Sequence, residues 1–256
     1  MKQLLSNISI NVNEKIYIKN PESSDLGRRI IKGGIDLLDE VGFDDFTFNK
    51  LAKNIRSTEA SIYRYFESKH KFLLFLTSWY WCWMEYQLVF RLANIDCPED
   101  RLERALRLLA EEINEQGSYA HINEYKLHRI VISESSKAYL TREVDQENKE
   151  GVFSGYKQLV EMVSNIILEI NPEYKYPHML ISTVIEGAHH QRYFAAHLPR
   201  LTDEIQGKDA ITEFYIEMVF RSIQSGIPDK LPDQVQESLN SDTIKPNPKR
   251  RRYSRI

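Results

Sequence analysis

Residues 47–69 read TFNKLAKNIRSTEASIYRYFESK. Apolar positions fall into two short clusters, Phe48, Leu51, Ala52 and Ile55, then Ile62, Tyr63 and Phe66. Each cluster follows a residue suited to start a helix. Thr47 precedes the first and Thr58, or Ser57, the second; their hydroxyls take backbone N–H groups that a helix start leaves unpaired. A tight break around Arg56-Ser57 separates them, and Ser68 caps the start of a further helix. Two helices this short have little core of their own and need a third to pack on. Working outward, Asp25 to Val41 supplies it. Ser23 or Ser24 caps its start, Ile30, Ile31, Ile35, Leu37, Leu38 and Val41 lie largely on one face, and Gly42 ends it. Three helices in this order, the last two joined by a tight turn, make a helix-turn-helix.

The residues of the second short helix suit that motif's use in reading DNA. Thr58, Glu59, Ala60 and Ser61 are small or polar and lie at its N-terminal end, where side chains reach base edges in the major groove. Ala60 fits a thymine methyl, and Glu59 is an acceptor for cytosine N4; Glu59 is equally a favourable charge in a first helical turn. Tyr63, Tyr65 and Lys69 follow at the flank, with a hydroxyl or ammonium suited to phosphate oxygens. Thr47, Lys50 and Arg64 complete the set of DNA-facing candidates, although a solvated charge looks the same in sequence.

Charge is distributed to match. The chain has 256 residues and a net charge of −3. Residues 50–71 hold 6 basic and 2 acidic residues, whereas residues 77–244 hold 16 basic and 27 acidic ones. A basic patch on an acidic body is what a protein with one polyanion-facing end requires. The last twelve residues add 6 basic residues and no acidic one, either a backbone-touching tail or a solubilising end.

The rest reads as helical. Glycine (10) and proline (9) are scarce. The pattern predicts helices over 69–93, 99–116, 125–133, 142–170, 177–198 and 209–223. Only residues 1–23 differ: Ile8, Ile10 and Val12, then Ile16 and Ile18, alternate with polar residues, predicting a small hairpin or an arm lying near the DNA-binding domain. The fold class is all-α. The expected organisation is an arm at 1–23, a reading domain at 24–76, a helical body at 77–226 and a basic disordered tail at 227–256. No apolar stretch is long and uninterrupted enough for a leader or a membrane span, and two cysteines, Cys82 and Cys97, do not make a disulfide scaffold. A cytoplasmic protein is expected.

Residues 25–76 resemble the DNA-binding domain of the TetR family of bacterial regulators. Gly42-Phe43 precedes the cap Thr47, Leu51-Ala52 stands for the apolar-Ala pair, and Thr58 is the second cap. Ile62-Tyr63-Arg64-Tyr65-Phe66 occupies the place of Leu-Tyr-x-His-Phe, and Lys69 is the closing lysine. The turn departs from Ala-Gly-Val: Ile55-Arg56-Ser57 puts arginine where glycine often takes a positive φ, at a cost of about 1 kcal/mol if that backbone is kept. The resemblance implies a transcriptional regulator, a homodimeric repressor binding double-stranded DNA at palindromic operators and released by a small ligand.

It further implies that the last two helices dimerise, with Met179, Val184, Ile185, Phe214, Met218 and Val219 as apolar candidates. The body is expected to hold a ligand pocket. The aromatic helix offers Trp79, Trp83, Tyr86 and Phe90, and the 177–198 helix His189 and Tyr193, although core filling alone is the preferred reading of the aromatic residues. His189 and His197 stand too far apart for one metal without further ligands. No cofactor or metal is expected. A helical ligand-binding protein or enzyme with a vestigial helix-turn-helix is the alternative, but no Gly-rich phosphate loop, HExxH, GxSxG or CxxC motif supports catalysis.

Overall fold

The computed structural model describes residues 10–113 and 121–224. Its helices are α1 (Asp25–Asp45), α2 (Phe48–Asn54), α3 (Glu59–Tyr63), α4 (Lys69–Leu92), α5 (Pro98–Ala110), α6 (Glu124–Glu134), α7 (Ser136–Tyr139), α8 (Val144–Lys149), α9 (Ser154–Ile170), α10 (Pro177–His197) and α11 (Ala210–Gln224). Among the described residues there is no strand, only an isolated bridge between Ile205 and Lys208. The fold is all-α.

Local chemistry sets the first helices. Ser24, Thr47, Thr58 and Ser68 each accept a backbone N–H with the side-chain oxygen at the starts of α1, α2, α3 and α4. Gly42, at φ +73°, breaks α1 where the sequence places its stop. Ile30, Ile31, Leu51, Ile62 and Phe66 then close a small core. Phe46 stacks on Phe72 at 5.5 Å and Phe66 meets Phe72 edge-on at 5.0 Å. Phe72 belongs to α4, so this aromatic cluster fastens the three-helix unit to the helix that runs on into the body.

The body wraps α4. Trp79, Tyr80, Trp81 and Trp83 are all buried, and Trp81 stacks on Tyr156 of α9 at 4.2 Å. Of the aromatic residues offered for a pocket, Trp79 and Trp83 are core, Tyr86 is half-buried and Phe90 is 56% exposed. The predicted helix over 142–170 is two helices. Gly151, at φ +79°, ends α8: its N–H bonds Asn148 O, and Val152 N–H bonds Glu147 O at 3.0 Å. This pairing is a Schellman cap, which favours glycine at its left-handed residue. The helix predicted over 99–116 ends at Ala110, and positions 114–116 lie outside the described residues.

Residues 10–23 form no hairpin. They make two 3-10 turns, Glu14–Ile16 and Pro21–Ser23, started by Asn13 and Asn20 side chains. Ile16 is buried, Ile18 N–H bonds Tyr65 O at 2.8 Å, and Asn13 Nδ2 donates to Glu150 O at 2.8 Å. The segment thus touches the reading domain and the body together. Ile8 and the basic tail lie outside the described residues.

Candidate nucleic-acid interface and neighbouring cavity

The turn between α2 and α3 keeps the backbone that glycine would favour. Arg56 sits at φ +53°. Ser57 N–H bonds Ala52 O at 2.8 Å and Arg56 N–H bonds Lys53 O at 3.3 Å, again a Schellman closure. The Arg29 guanidinium, from α1, donates to Ile55 O and braces the same turn. Nothing local in the sequence marks Arg29 for that task.

Beyond the turn, Thr58 Oγ1 accepts Ser61 N–H at 3.3 Å and shares a 2.8 Å hydrogen bond with Ser61 Oγ. Thr58 and Ala60 are exposed, Glu59 and Ser61 half-buried. Glu59 Oε2 accepts from Asn49 Nδ2 at 3.2 Å, so its carboxylate also ties α3 to α2. Ile62 points inward and is fully buried. Tyr63 is 47% exposed, with its ring edge-on to Phe48 at 5.0 Å. Arg64 is exposed, as are Thr47 and Lys50; Lys50 Nζ donates to Asp45 O at 2.8 Å. Lys53 and Arg56, not singled out from the sequence as DNA contacts, are exposed beside them. The solvent side of α2, the turn and α3 is thus a face of small residues flanked by hydroxyls and cations.

Two expected flank residues are used internally instead. Tyr65 is 4% exposed, and its hydroxyl bonds Ser24 Oγ at 2.8 Å. Its side chain turns away from the reading face because the arm and the start of α1 enclose it; Lys19 Nζ lies 5.2 Å above its ring. Lys69 Nζ donates to Phe43 O, Asp44 O and Phe46 O at 3.0, 3.2 and 3.3 Å. It ties down the carbonyls that follow the Gly42 break, and its phosphate role is not what this geometry favours.

A cavity of about 500 Å³ lies where the reading domain meets the body. Leu38, Asp39 and Gly42 of α1 form one wall, α6 from Tyr125 to Glu134 another, and Arg192 to His197 of α10 a third. Of the six pocket residues expected from the sequence, Tyr193 lines it. Trp79, Trp83 and His189 are buried in the core, Tyr86 is half-buried and Phe90 exposed, and none of the five lines it. Burial pushes the His189 imidazole down to about 3, with His128 and His190 adding to the shift; burial, then Arg192, pushes His128 down to about 4. Both rings are neutral at pH 7. Among the described residues no group of three or more His, Cys, Asp or Glu is placed to hold a metal ion.

Charged pairs run along the same seam. Arg129 Nε lies 3.3 Å from Asp39 Oδ1, Glu134 Oε1 accepts Phe43 N–H at 3.0 Å, and Lys137 Nζ lies 2.9 Å from Asp44 Oδ2. Lys137 holds the Asp44 carboxyl below the usual carboxylate range.

A three-helix head with an exposed short recognition helix, fixed to an all-α body, is the architecture of a helix-turn-helix DNA-binding protein. Residues 30–74 match the family model described as "Bacterial regulatory proteins, tetR family". The N-terminal domain is a TetR-family domain, the fold is that of the family's regulators, and the chain is a DNA-binding regulatory protein. No curated protein matches the sequence. Solved structures of similar fold include AibR in complex with isovaleryl coenzyme A and operator DNA (16% identity, 75% of this chain and 97% of that one, TM-score 0.52). Fatty acid degradation regulator FadR from Bacillus halodurans aligns at 16% identity over 79% of this chain and 96% of that one, with a TM-score of 0.54. Superantigen PfiT aligns at 15% identity over 79% and 97%, with a TM-score of 0.53. These likenesses concern the fold; the regulatory assignment rests on the motif-bearing segment. Among the described residues no helix is long and apolar enough to cross a membrane.

Proposed function

We propose that the chain is a cytoplasmic homodimeric repressor that binds a palindromic operator and leaves it when a small ligand occupies the body. The observation that carries this reading is the α2–turn–α3 face: an intact turn, Ile62 inward, and Thr58, Ala60, Tyr63 and Arg64 outward. Thr58, Glu59, Ala60 and Ser61 would read base edges. Tyr63, Arg64, Lys50 and Thr47 would meet phosphates, joined by Lys53 and Arg56. Residues 24–76 act as the head and 77–226 as the body.

One such head reads few base pairs, and a two-fold pairing doubles the contacts on a palindrome. Met179 and Phe214, 67% and 56% exposed on α10 and α11, support pairing through those helices. Val184, Ile185 and Val219 are fully buried within the chain and belong to its own core instead, while Met218 is half-buried. Release follows if the ligand prefers a spacing of the two heads that the operator does not accept; DNA affinity then falls by the ligand's differential affinity for the two states.

Selection from random duplexes with purified protein at near-physiological salt tests the reading. A palindrome with fixed half-site spacing is expected, with affinity falling steeply as salt rises and lost in Tyr63→Ala. Recovery of no motif by folded, dimeric protein would overturn it in favour of a vestigial head.

A further inference from the structure

The corner between α1 and α2 is held from the body by one carboxylate. Gly42, at φ +73° and ψ 169°, turns the next peptide out of the α1 pattern. A single helical turn follows, closed where Phe46 N–H meets Gly42 O at 3.2 Å. A helical turn begins with N–H groups that lack an acceptor, and the residue before it ordinarily supplies one from its side chain. Ser24, Thr47, Thr58 and Ser68 do so elsewhere in the head. Glycine has no side chain to offer. The acceptor comes instead from the body: Glu134 Oε1, at the end of α6, takes Phe43 N–H at 3.0 Å.

The carboxylate fits closely and is held in place. Glu134 is 8% exposed, and a Cβ on Gly42 would meet its Oε1 at 3.3 Å. Lys137 Nζ lies 3.0 Å from Glu134 Oε2 and 2.9 Å from Asp44 Oδ2, which balances both charges. The corner's carbonyls are met from within the head, those of Phe43, Asp44 and Phe46 by Lys69 and that of Asp45 by Lys50. Among the described residues, Glu134 is therefore the only body residue hydrogen-bonded to the backbone of this corner. The corner leads straight into the DNA-facing unit: Phe46 is fully buried, and Thr47, next along the chain, caps α2.

We propose that Glu134 is a positioning residue for DNA binding, which caps from the body the turn that sets the start of α2. The inference rests on the DNA-binding reading and names the side chain through which the body supports it. Without this charge-assisted bond, Phe43 N–H has no acceptor and the corner leaves its place for part of the time. Apparent DNA affinity then falls by the fraction of molecules in which α2 is correctly set.

The test uses the full-length protein and two readouts: affinity for the duplex that wild type selects from random sequence, and backbone hydrogen exchange without DNA. Glu134→Met keeps the volume and removes the acceptor. It is expected to weaken that duplex about tenfold and to speed exchange over residues 43–54, with α9 unchanged. Glu134→Gln, whose amide oxygen still accepts from Phe43, should recover most of both. Lys126→Met breaks an ion pair between body and head, with Asp36, that does not touch the corner; it should bind within about fivefold of wild type. Circular dichroism reports the fold, and Glu134→Ala replaces Glu134→Met if the latter does not fold. Wild-type affinity and exchange in the folded variant without the acceptor, or losses as large in Glu134→Gln or in Lys126→Met, would overturn the proposal. If wild type selects no duplex, the repressor reading falls, and the exchange difference between Glu134→Met and Glu134→Gln alone decides whether Glu134 holds the corner.

Discussion

Replacing Arg56 with glycine should stabilise the protein, and the amount follows from one dihedral angle. Arg56 holds φ +53° in a closed Schellman turn, and its side chain is exposed. A non-glycine residue in that region costs roughly 1–2 kcal/mol, because Cβ crowds the following carbonyl. Glycine removes that crowding but loses more backbone freedom on folding, about 0.5–1 kcal/mol. The difference leaves Arg56→Gly more stable than wild type by about 0.5–1 kcal/mol.

Arg56→Ala is the control, because it removes the guanidinium and keeps Cβ. Urea unfolding of the full-length protein at constant m separates the two. With m of about 3 kcal/mol per molar, the glycine variant should unfold at a midpoint higher by about 0.2–0.3 M and the alanine variant near wild type. Glycine no more stable than alanine would refute the argument that the turn is strained at this residue. DNA binding offers an independent second reading. If Arg56 contacts phosphate, both variants should lower the slope of log affinity against log salt by about 0.9.

Tyr65→Phe should cost about 1 kcal/mol by removing the bond to Ser24, with operator affinity and salt slope unchanged; a lost phosphate contact in the salt titration would contradict the buried placement. Lys69→Met should cost about 1–2 kcal/mol, since a charged donor serving three carbonyls is stronger than a neutral one, read as a lower urea midpoint. Acid should weaken the fold through His128 and His189, whose values of about 4 and about 3 lie below the ordinary 6.5. The unfolded chain takes up their protons first, so their contribution is complete above pH 6.5 and is lost as pH falls toward 4. Each adds up to about 1.4 kcal/mol per pH unit. Urea midpoints at pH 7.5, 6 and 5 check this, and a dependence in His128→Phe as steep as in wild type would exclude His128 from it.

The parts legible in the sequence were those decided locally. The cap hydroxyls of Ser24, Thr47, Thr58 and Ser68, and the stop at Gly42, act within one turn of their own positions. The family motif followed from the same short-range chemistry. What escaped was decided by distant chain. Tyr65 faces inward because Ser24 and Ile18 meet it, 41 positions away in the case of Ser24. Rings all around α4 favour core filling, and helices on several sides do cover Trp79, Tyr80, Trp81 and Trp83; that Phe90 stays exposed has no signature in the helix itself. The cavity draws Leu38, His128 and Tyr193 from three separate elements. Gly151 is hidden in the sequence because the apolar period resumes beyond it at Val152, Tyr156 and Leu159; periodicity does not record the change of direction.

The way α1 is held bears on how a ligand could move it. On one side, Pro21 packs so closely on Gly27 that a Cβ there would meet its carbonyl oxygen at 2.1 Å, and Arg28 Nη1 donates to Glu22 O at 2.8 Å. On the other side, Lys126, Arg129 and Lys137 pair with Asp36, Asp39 and Asp44 of α1. The first contact is steric and does not yield gradually. The second is a row of partly exposed ion pairs, each worth about 0–1 kcal/mol. Helix α1 also packs closely against α6, and both bury apolar residues there, Ile31, Ile35 and Leu38 on one and Leu127, Ile130 and Val131 on the other, so the ion pairs add to that packing. The combined strength of those pairs, up to about 3 kcal/mol, matches the 1–3 kcal/mol typical of coupling between ligand sites. Differential affinity of ordinary size, applied along this seam, is therefore enough to break its ion pairs, though not the apolar packing between them.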